Sequence, residues 1–182
     1  MEKYLIALTV ATLTIAGCST TNSVPYKAST SNVIEIQQSL GKIGKEVSLG
    51  AVTSSQGIDE APTCRLMGPV NVASGKTLSQ YISDAFQEEL FLAGVYSPDS
   101  KNTINGKITS LDFSSVSPAY WSVTMDVSSN ASKGYSVSTK YPFNTSFDAF
   151  SACKNVANAF GPAVQNLLKE VVSHPQFNAL AK

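Results

Sequence analysis

The sequence predicts an α+β fold: a mixed, mostly antiparallel sheet of about five strands with two long helices packed on one face. Three observations carry this. Residues 121–127 and 135–141 alternate between two faces, one apolar apart from Thr139 and the other polar, with a turn-forming stretch between them. Residues 78–93 and 147–173 instead repeat their apolar positions at helical spacing. The order of elements is strand, strand, helix, three strands, helix, and strands grouped in this way favour antiparallel neighbours over βαβ crossovers.

The first element is not part of the fold. Residues 4–15 form a short apolar run behind Lys3, shorter than the ~20 residues that span a bilayer. It closes on Ile15-Ala16-Gly17-Cys18, an aliphatic residue, two small residues and a cysteine. This resembles the signals of bacterial lipoproteins, with Ile15 where Leu is commoner. The resemblance implies cleavage before Cys18 and a diacylglyceryl group and an N-acyl chain on that residue. It also implies stable attachment to a membrane, since several acyl chains anchor where one is marginal. Ser19 stands where an Asp would favour the inner membrane, so the implied address is the outer membrane, facing the periplasm. Cleavage removes 17 of 182 residues and leaves 165, enough for one domain with a real core.

Residues 18–32 are rich in Ser and Thr and carry Pro25, and they read as a flexible tether. The domain is then expected over 33–182. Residues 33–43 read as a short helix through Val33, Ile36, Leu40 and Ile43, and 46–54 as a first strand through Val47, Leu49 and Ala51. A loop with Gly57 and Pro62 leads to a second strand over 64–72, which Pro69 confines to an edge or a bulge. Thr77 and Gln80 have the spacing of a capping box and should start a helix that Gly94 ends. Within 103–113, Ile104 and Ile108 share one parity and Leu111 and Phe113 the other, so a bulge is expected near Thr109 and Ser110. Pro162 should kink or split the closing helix near Ala159, and His174-Pro175 ends it.

Two cysteines remain beside Cys18. In an oxidising compartment, with no CxxC spacing, Cys64 and Cys153 are expected to form a disulfide worth ~4 kcal/mol in the chain-entropy model. The chain carries 13 basic and 13 acidic residues without a basic cluster, which argues against nucleic acid as a partner. His174 is the only histidine, so a zinc site lacks ligands, and no metal or other cofactor is expected. It lies at a helix C-terminus, where a cation is favoured, and no nucleophile motif accompanies it. Glu88 and Glu89 read as a solvated helix face, and Gly41, Gly44 and Gly50 fit no phosphate-loop spacing. The inventory for a hydrolase is therefore missing.

The aromatic residues gather in the second half of the chain, two groups of them beside loop prolines. Tyr120, Trp121, Pro142 and Phe143 are the candidate partner-binding patch, because aromatics beside loop prolines often form exposed contacts. The polar side of the hairpin adds Thr124 and Ser138, short uncharged groups that do not resist close approach. Behind such a signal, this order of elements resembles the small outer-membrane lipoproteins of the LptE, YajG and PqiC type. Their sheet carries two helices on one face, and they act as accessory subunits or plugs in envelope machines. The cysteine pair and Pro162 are atypical of that group. Residues 147–177 also look like those of uncharacterised proteobacterial lipoproteins. The resulting expectation is a non-enzymatic, lipid-anchored subunit that docks an envelope protein. The alternative is a binder of a small apolar or glycan ligand in a groove between helix and sheet. Cys18→Ser should abolish acylation and release the protein from membranes, read by intact mass and by membrane partitioning; unchanged mass and partitioning would refute the lipid anchor.

Overall fold

A computed structural model describes residues 20–21 and 24–181. The apolar leader and Cys18 lie outside the described residues. Along the chain the elements are β1 (Thr20–Thr21), α1 (Thr30–Ser39), β2 (Ser48–Ser54), β3 (Val70–Asn71), α2 (Leu78–Leu92), β4 (Thr103–Ser114), β5 (Ala119–Ser129), β6 (Tyr135–Phe143) and α3 (Ala149–Val172). Short 3-10 turns follow α1 and α3.

The predicted hairpin forms one side of the sheet, with β6 at its edge. β5 and β6 pair antiparallel, with Trp121 opposite Tyr141 and Val127 opposite Tyr135. Gly134 enters β6 at φ +78°, and a Cβ there would strike the Val127 carbonyl, so the turn admits only glycine. β4 pairs antiparallel on the other side of β5, and β2 lies parallel to β4 at the far edge. The expected bulge falls between Ile108 and Ser110. It absorbs the change of parity, so Ile104 and Ile108 before it and Leu111 and Phe113 after it all pack toward the core.

The sheet has four strands rather than about five. Residues 64–72, expected as a strand, fold mostly as a turn. Arg65 and Leu66 take left-handed φ of 43° and 60°, and Gly68 takes 102°. The Met67 N–H donates to the Cys64 carbonyl and the Cys64 N–H to the Gly68 carbonyl. Left-handed backbone cannot continue an extended ladder, and what remains is β3, paired in parallel with β1.

Both long helices lie where the spacing predicted. The capping box of α2 closes in both directions: Gln80 N–H donates to Thr77 Oγ1 and Thr77 N–H to Gln80 Oε1. Leu78, Ile82, Ala85, Phe86 and Leu90 are buried, and Gly94 follows the helix at φ +71°. Helix α3 starts at Ala149, capped by the Asp148 carboxylate accepting from Ser151 N–H. It runs without a break through Pro162, so of the expected kink or split near Ala159 the split does not occur. Proline removes one helical N–H, whereas Phe160, Ala163 and Val164 on both sides of it are fully buried against the core. Packing holds the helix together across the defect. Cys153, in the second turn of α3, is bridged to Cys64 with Cα atoms 5.8 Å apart.

The N-terminal segment is docked well before the expected domain boundary at 33, and a buried carboxylate holds it. Glu89 is fully buried on α2, not on a solvated face. Its Oε1 accepts from Tyr26 OH at 2.7 Å, Ser29 N–H at 3.0 Å and Asn32 Nδ2 at 3.2 Å, and its Oε2 accepts from Asn32 Nδ2 at 3.1 Å. Asn32 also donates to the Gln165 carbonyl of α3, and Gln165 Nε2 to the Lys27 carbonyl. Burial raises the Glu89 pKa above its ordinary 4.5, opposed by the hydrogen bonds it accepts. Because the folded-state value is raised, this stabilisation is complete below pH 4.5 and is lost as pH climbs through the folded-state value. Wild type should therefore exceed Glu89→Gln in stability by more at pH 4 than at pH 7 in urea unfolding. Glu89→Ala, which strands the three donor groups, should cost ~3 kcal/mol and, by the same linkage, more at pH 4 than at pH 7.

Candidate functional site

The sheet divides the candidate aromatic patch. Adjacent strand residues point to opposite faces, so Tyr120 and Pro142, paired in register, lie on the face away from the helices. Pro142 is exposed, and the Lys140 ammonium sits 3.9 Å from the Tyr120 ring centre. Trp121 corrects the expectation of an exposed contact. It is fully buried between Phe113 and Phe160, and its Nε1–H donates to the Val156 carbonyl at 2.8 Å. Phe143 is half-buried on the helix side, where with Tyr141, Asn155, Asn158 and Pro162 it lines a cleft of about 250 Å³.

Thr124 and Ser138 are brought together. They face each other across β5 and β6 with their hydroxyl oxygens 2.8 Å apart. Around them the outer face carries Ser122, Ser136, Asp126 and Lys140, with Lys107 opposite Asp126 on β4. It is a polar, lightly charged surface, and Asp126, Ser136, Ser138 and Lys140 are exposed.

A second surface escaped the reading of the sequence. The loops 64–68, 115–118 and 144–148 meet at one end of the sheet, where β4 ends and β6 runs out. Arg65 joins them. Its Nε donates to Ser115 Oγ at 3.0 Å, Nη2 to the Ser115 carbonyl, and Nη1 to the carbonyls of Ser146 and Phe147 at 3.2 Å each. The cleft beside it, about 420 Å³, is lined by Val116, Ser117, Thr145, Ser146 and Phe147. Around this knot Leu66 is 97 % exposed, Phe147 fully exposed, and Phe150 and Val116 mostly so. The available signal was Asp148, a strong N-cap residue. Starting α3 there, rather than at 147, leaves Phe147 outside the helix. Nothing in the spacing indicated that Leu66 would be turned outward, because that depends on the left-handed turn.

Three titratable groups elsewhere have structural partners. The His174 ring stacks on Tyr135 at 3.8 Å, and its Nδ1 accepts from Gln176 N–H. Tyr135 OH donates to the Val171 carbonyl near the end of α3, and burial raises its pKa. Hydrogen bonds from Ser146 and Ser151 hold the Asp148 carboxyl below its ordinary value. Among the described residues no three His, Cys, Asp or Glu side chains are placed to hold a metal, and no helix is long and apolar enough to cross a membrane.

The fold so defined is α+β, a mixed four-stranded sheet with helices packed on it. Protein XCC0632 from Xanthomonas campestris, described under the family model DUF330, is similar to it at 10 % identity with a TM-score of 0.44 over 70 % of this chain and 84 % of that one. A second solved structure, of an uncharacterized protein, is similar at 12 % identity with a TM-score of 0.36 over 69 % of this chain and 92 % of that one. No protein-family model and no curated protein matches the chain.

Arg65→Ala removes the bonds from the 64–68 loop to the other two, and leaves those two joined by Thr145 Oγ1 on the Ser115 carbonyl. It should lower stability by about 2 kcal/mol and speed amide exchange in 115–118 and 144–148. Arg65→Lys should not restore the protection, because one ammonium cannot span three carbonyls and a hydroxyl. Unchanged exchange in both loops would show that Arg65 is not their tie.

Proposed function

We propose that this chain is a non-enzymatic lipoprotein, anchored to the outer membrane through Cys18, that serves as a docking subunit for an envelope protein. The observation that carries the docking role is the outer face of β4, β5 and β6. The other face of the sheet is filled by Trp121, Val123, Met125 and the helices, while this one presents Thr124, Ser138 and their short polar neighbours at the surface. Hydroxyl side chains lose little conformational entropy on contact and can hydrogen-bond across an interface. The Ile15–Cys18 pattern supports the anchor. The order of elements supports a likeness to the accessory lipoproteins of the LptE, YajG and PqiC type, and that likeness is part of the proposal.

A ligand groove under α2 is less well supported. The cleft along α2, about 260 Å³, lies against residues 24–26 and not against the sheet, and is lined by Tyr26, Tyr81 and Ala85 but also by Lys76, Asp84 and Glu88. An apolar ligand wants a larger and drier site.

The test is charge insertion on the outer face. In Thr124→Lys combined with Ser138→Glu, the new charges oppose each other across the strands and support the sheet. An interface would have to desolvate them. Cross-linking in intact envelopes should show capture of the partner reduced about tenfold, with acylation and thermal unfolding unchanged. Equal capture by the variant would remove this face as the interface.

A further inference from the structure

Phe147 and Leu66 are the two most exposed large apolar side chains among the described residues, and they lie at the same end of the molecule as Val116 and Phe150. The loops that carry them are tied to one another by Arg65 and to α3 by the Cys64–Cys153 bridge. The patch is therefore held in place, not a frayed edge. Within these loops the charged residues are Arg65 and Asp148. The first is directed onto loop carbonyls and the second onto Ser146 and Ser151.

The chain arrives at this same end. β1 runs parallel to β3, with Thr20 beside Val70, so the chain enters Thr20 from the side of Gly68 and Pro69. Those residues form the base of the turn whose apex is Arg65 and Leu66. One residue, Ser19, separates Cys18 from Thr20, a reach of at most about 7 Å. A lipid on Cys18 would thus emerge next to the apolar tip and would bring it to the acyl–headgroup boundary, where Phe and Leu side chains are favoured.

From this we infer that the tip of Leu66, Val116, Phe147 and Phe150 inserts into the membrane surface that holds the lipid anchor, so that the domain stands on its strand ends with the outer sheet face turned sideways. The inference rests on the proposed acylation of Cys18. It makes the membrane, and not a protein, the occupant of the tip.

The test uses the full acylated protein in phosphatidylethanolamine–phosphatidylglycerol vesicles containing acyl-brominated lipid. Native Trp121 is buried and supplies a constant background. Phe147→Trp reports on the tip. Phe91→Trp is the control, exposed on the last turn of α2. That turn leads through Val95 to Val47 and the start of β4, about 35 Å along the strand from the tip. Emission from Phe147→Trp should shift to the blue on vesicle binding and be quenched about threefold more than that from Phe91→Trp. Equal quenching in acylated, vesicle-bound protein overturns the inference and leaves the anchor standing. A blue shift that grows with protein concentration but is not quenched by brominated lipid gives the tip to a second copy, and also overturns it. If intact mass shows Cys18 without acyl chains, the anchoring proposal fails, and this inference fails with it.

Discussion

The contact between the Trp121 indole and α3 governs the arrangement of the rest. Trp121 sits on the central strand β5 and donates its N–H to the Val156 carbonyl, in the interior of the helix. Its ring lies against Phe160 one turn further on and against Phe113 on β4. A buried indole needs a hydrogen-bond partner and a close-packed shell, and here one helix supplies both. That fixes the rotation and the height of α3 on the sheet. From the same helix Cys153 reaches back to Cys64, the Gln165 carbonyl receives Asn32, and the Val171 carbonyl receives Tyr135. Each later attachment depends on α3 being set by this first one.

The N-terminal segment is held by polar contacts more than by apolar burial. A carboxylate removed from water is costly unless its lone pairs are met, and Glu89 is met by a hydroxyl, a backbone N–H and a side-chain amide from three positions of one segment. Tyr26 adds an edge-on ring contact with Tyr81. Such a network tolerates few alternative arrangements, so it fixes where α1 begins. Separately, the pairing of β1 with β3 sets Thr20 beside Val70, at the end of the molecule that carries the turn at Arg65 and Leu66. In this way the position of the proposed anchor is tied to the position of the apolar tip.

The molecule consequently has distinct directions. One face of the sheet is closed by helices. The other is polar, with hydroxyl pairs such as Thr124 and Ser138 and charges of both signs. One end carries the exposed Leu66 and Phe147, while at the opposite end, where Phe91 is exposed, Val47 is tied to Val95 and Ser97. In the proposed arrangement the lipid surface takes the apolar end and a protein takes the polar face. The two contacts do not compete for the same residues.

The α+β class, both long helices, the β5–β6 hairpin, the bulge in β4 and the choice of Cys64 and Cys153 as partners were legible in the sequence. Each is set by local period, by capping chemistry or by the few available thiols. The candidate site was legible only in part. Thr124 and Ser138 follow from alternation along a strand, but proximity to proline could not distinguish Tyr120 and Pro142, on the outer face, from Trp121 and Phe143, on the inner one. Other features depended on partners distant in the chain. Leu66 is exposed because the turn at 64–68 is left-handed and pinned through Arg65 to loops 50 and more residues away. Glu89 is buried because Tyr26, Ser29 and Asn32 arrive to meet it. Pro162 stays within an unbroken helix because the core on both sides outweighs one lost hydrogen bond. By itself the sequence determined which segments are helix and strand and which faces of the helices and the central strands are apolar, since those follow from the spacing of side chains along the backbone. Only the tertiary structure decided which polar groups are buried and which apolar ones are left in water, because both depend on what the rest of the chain places beside them.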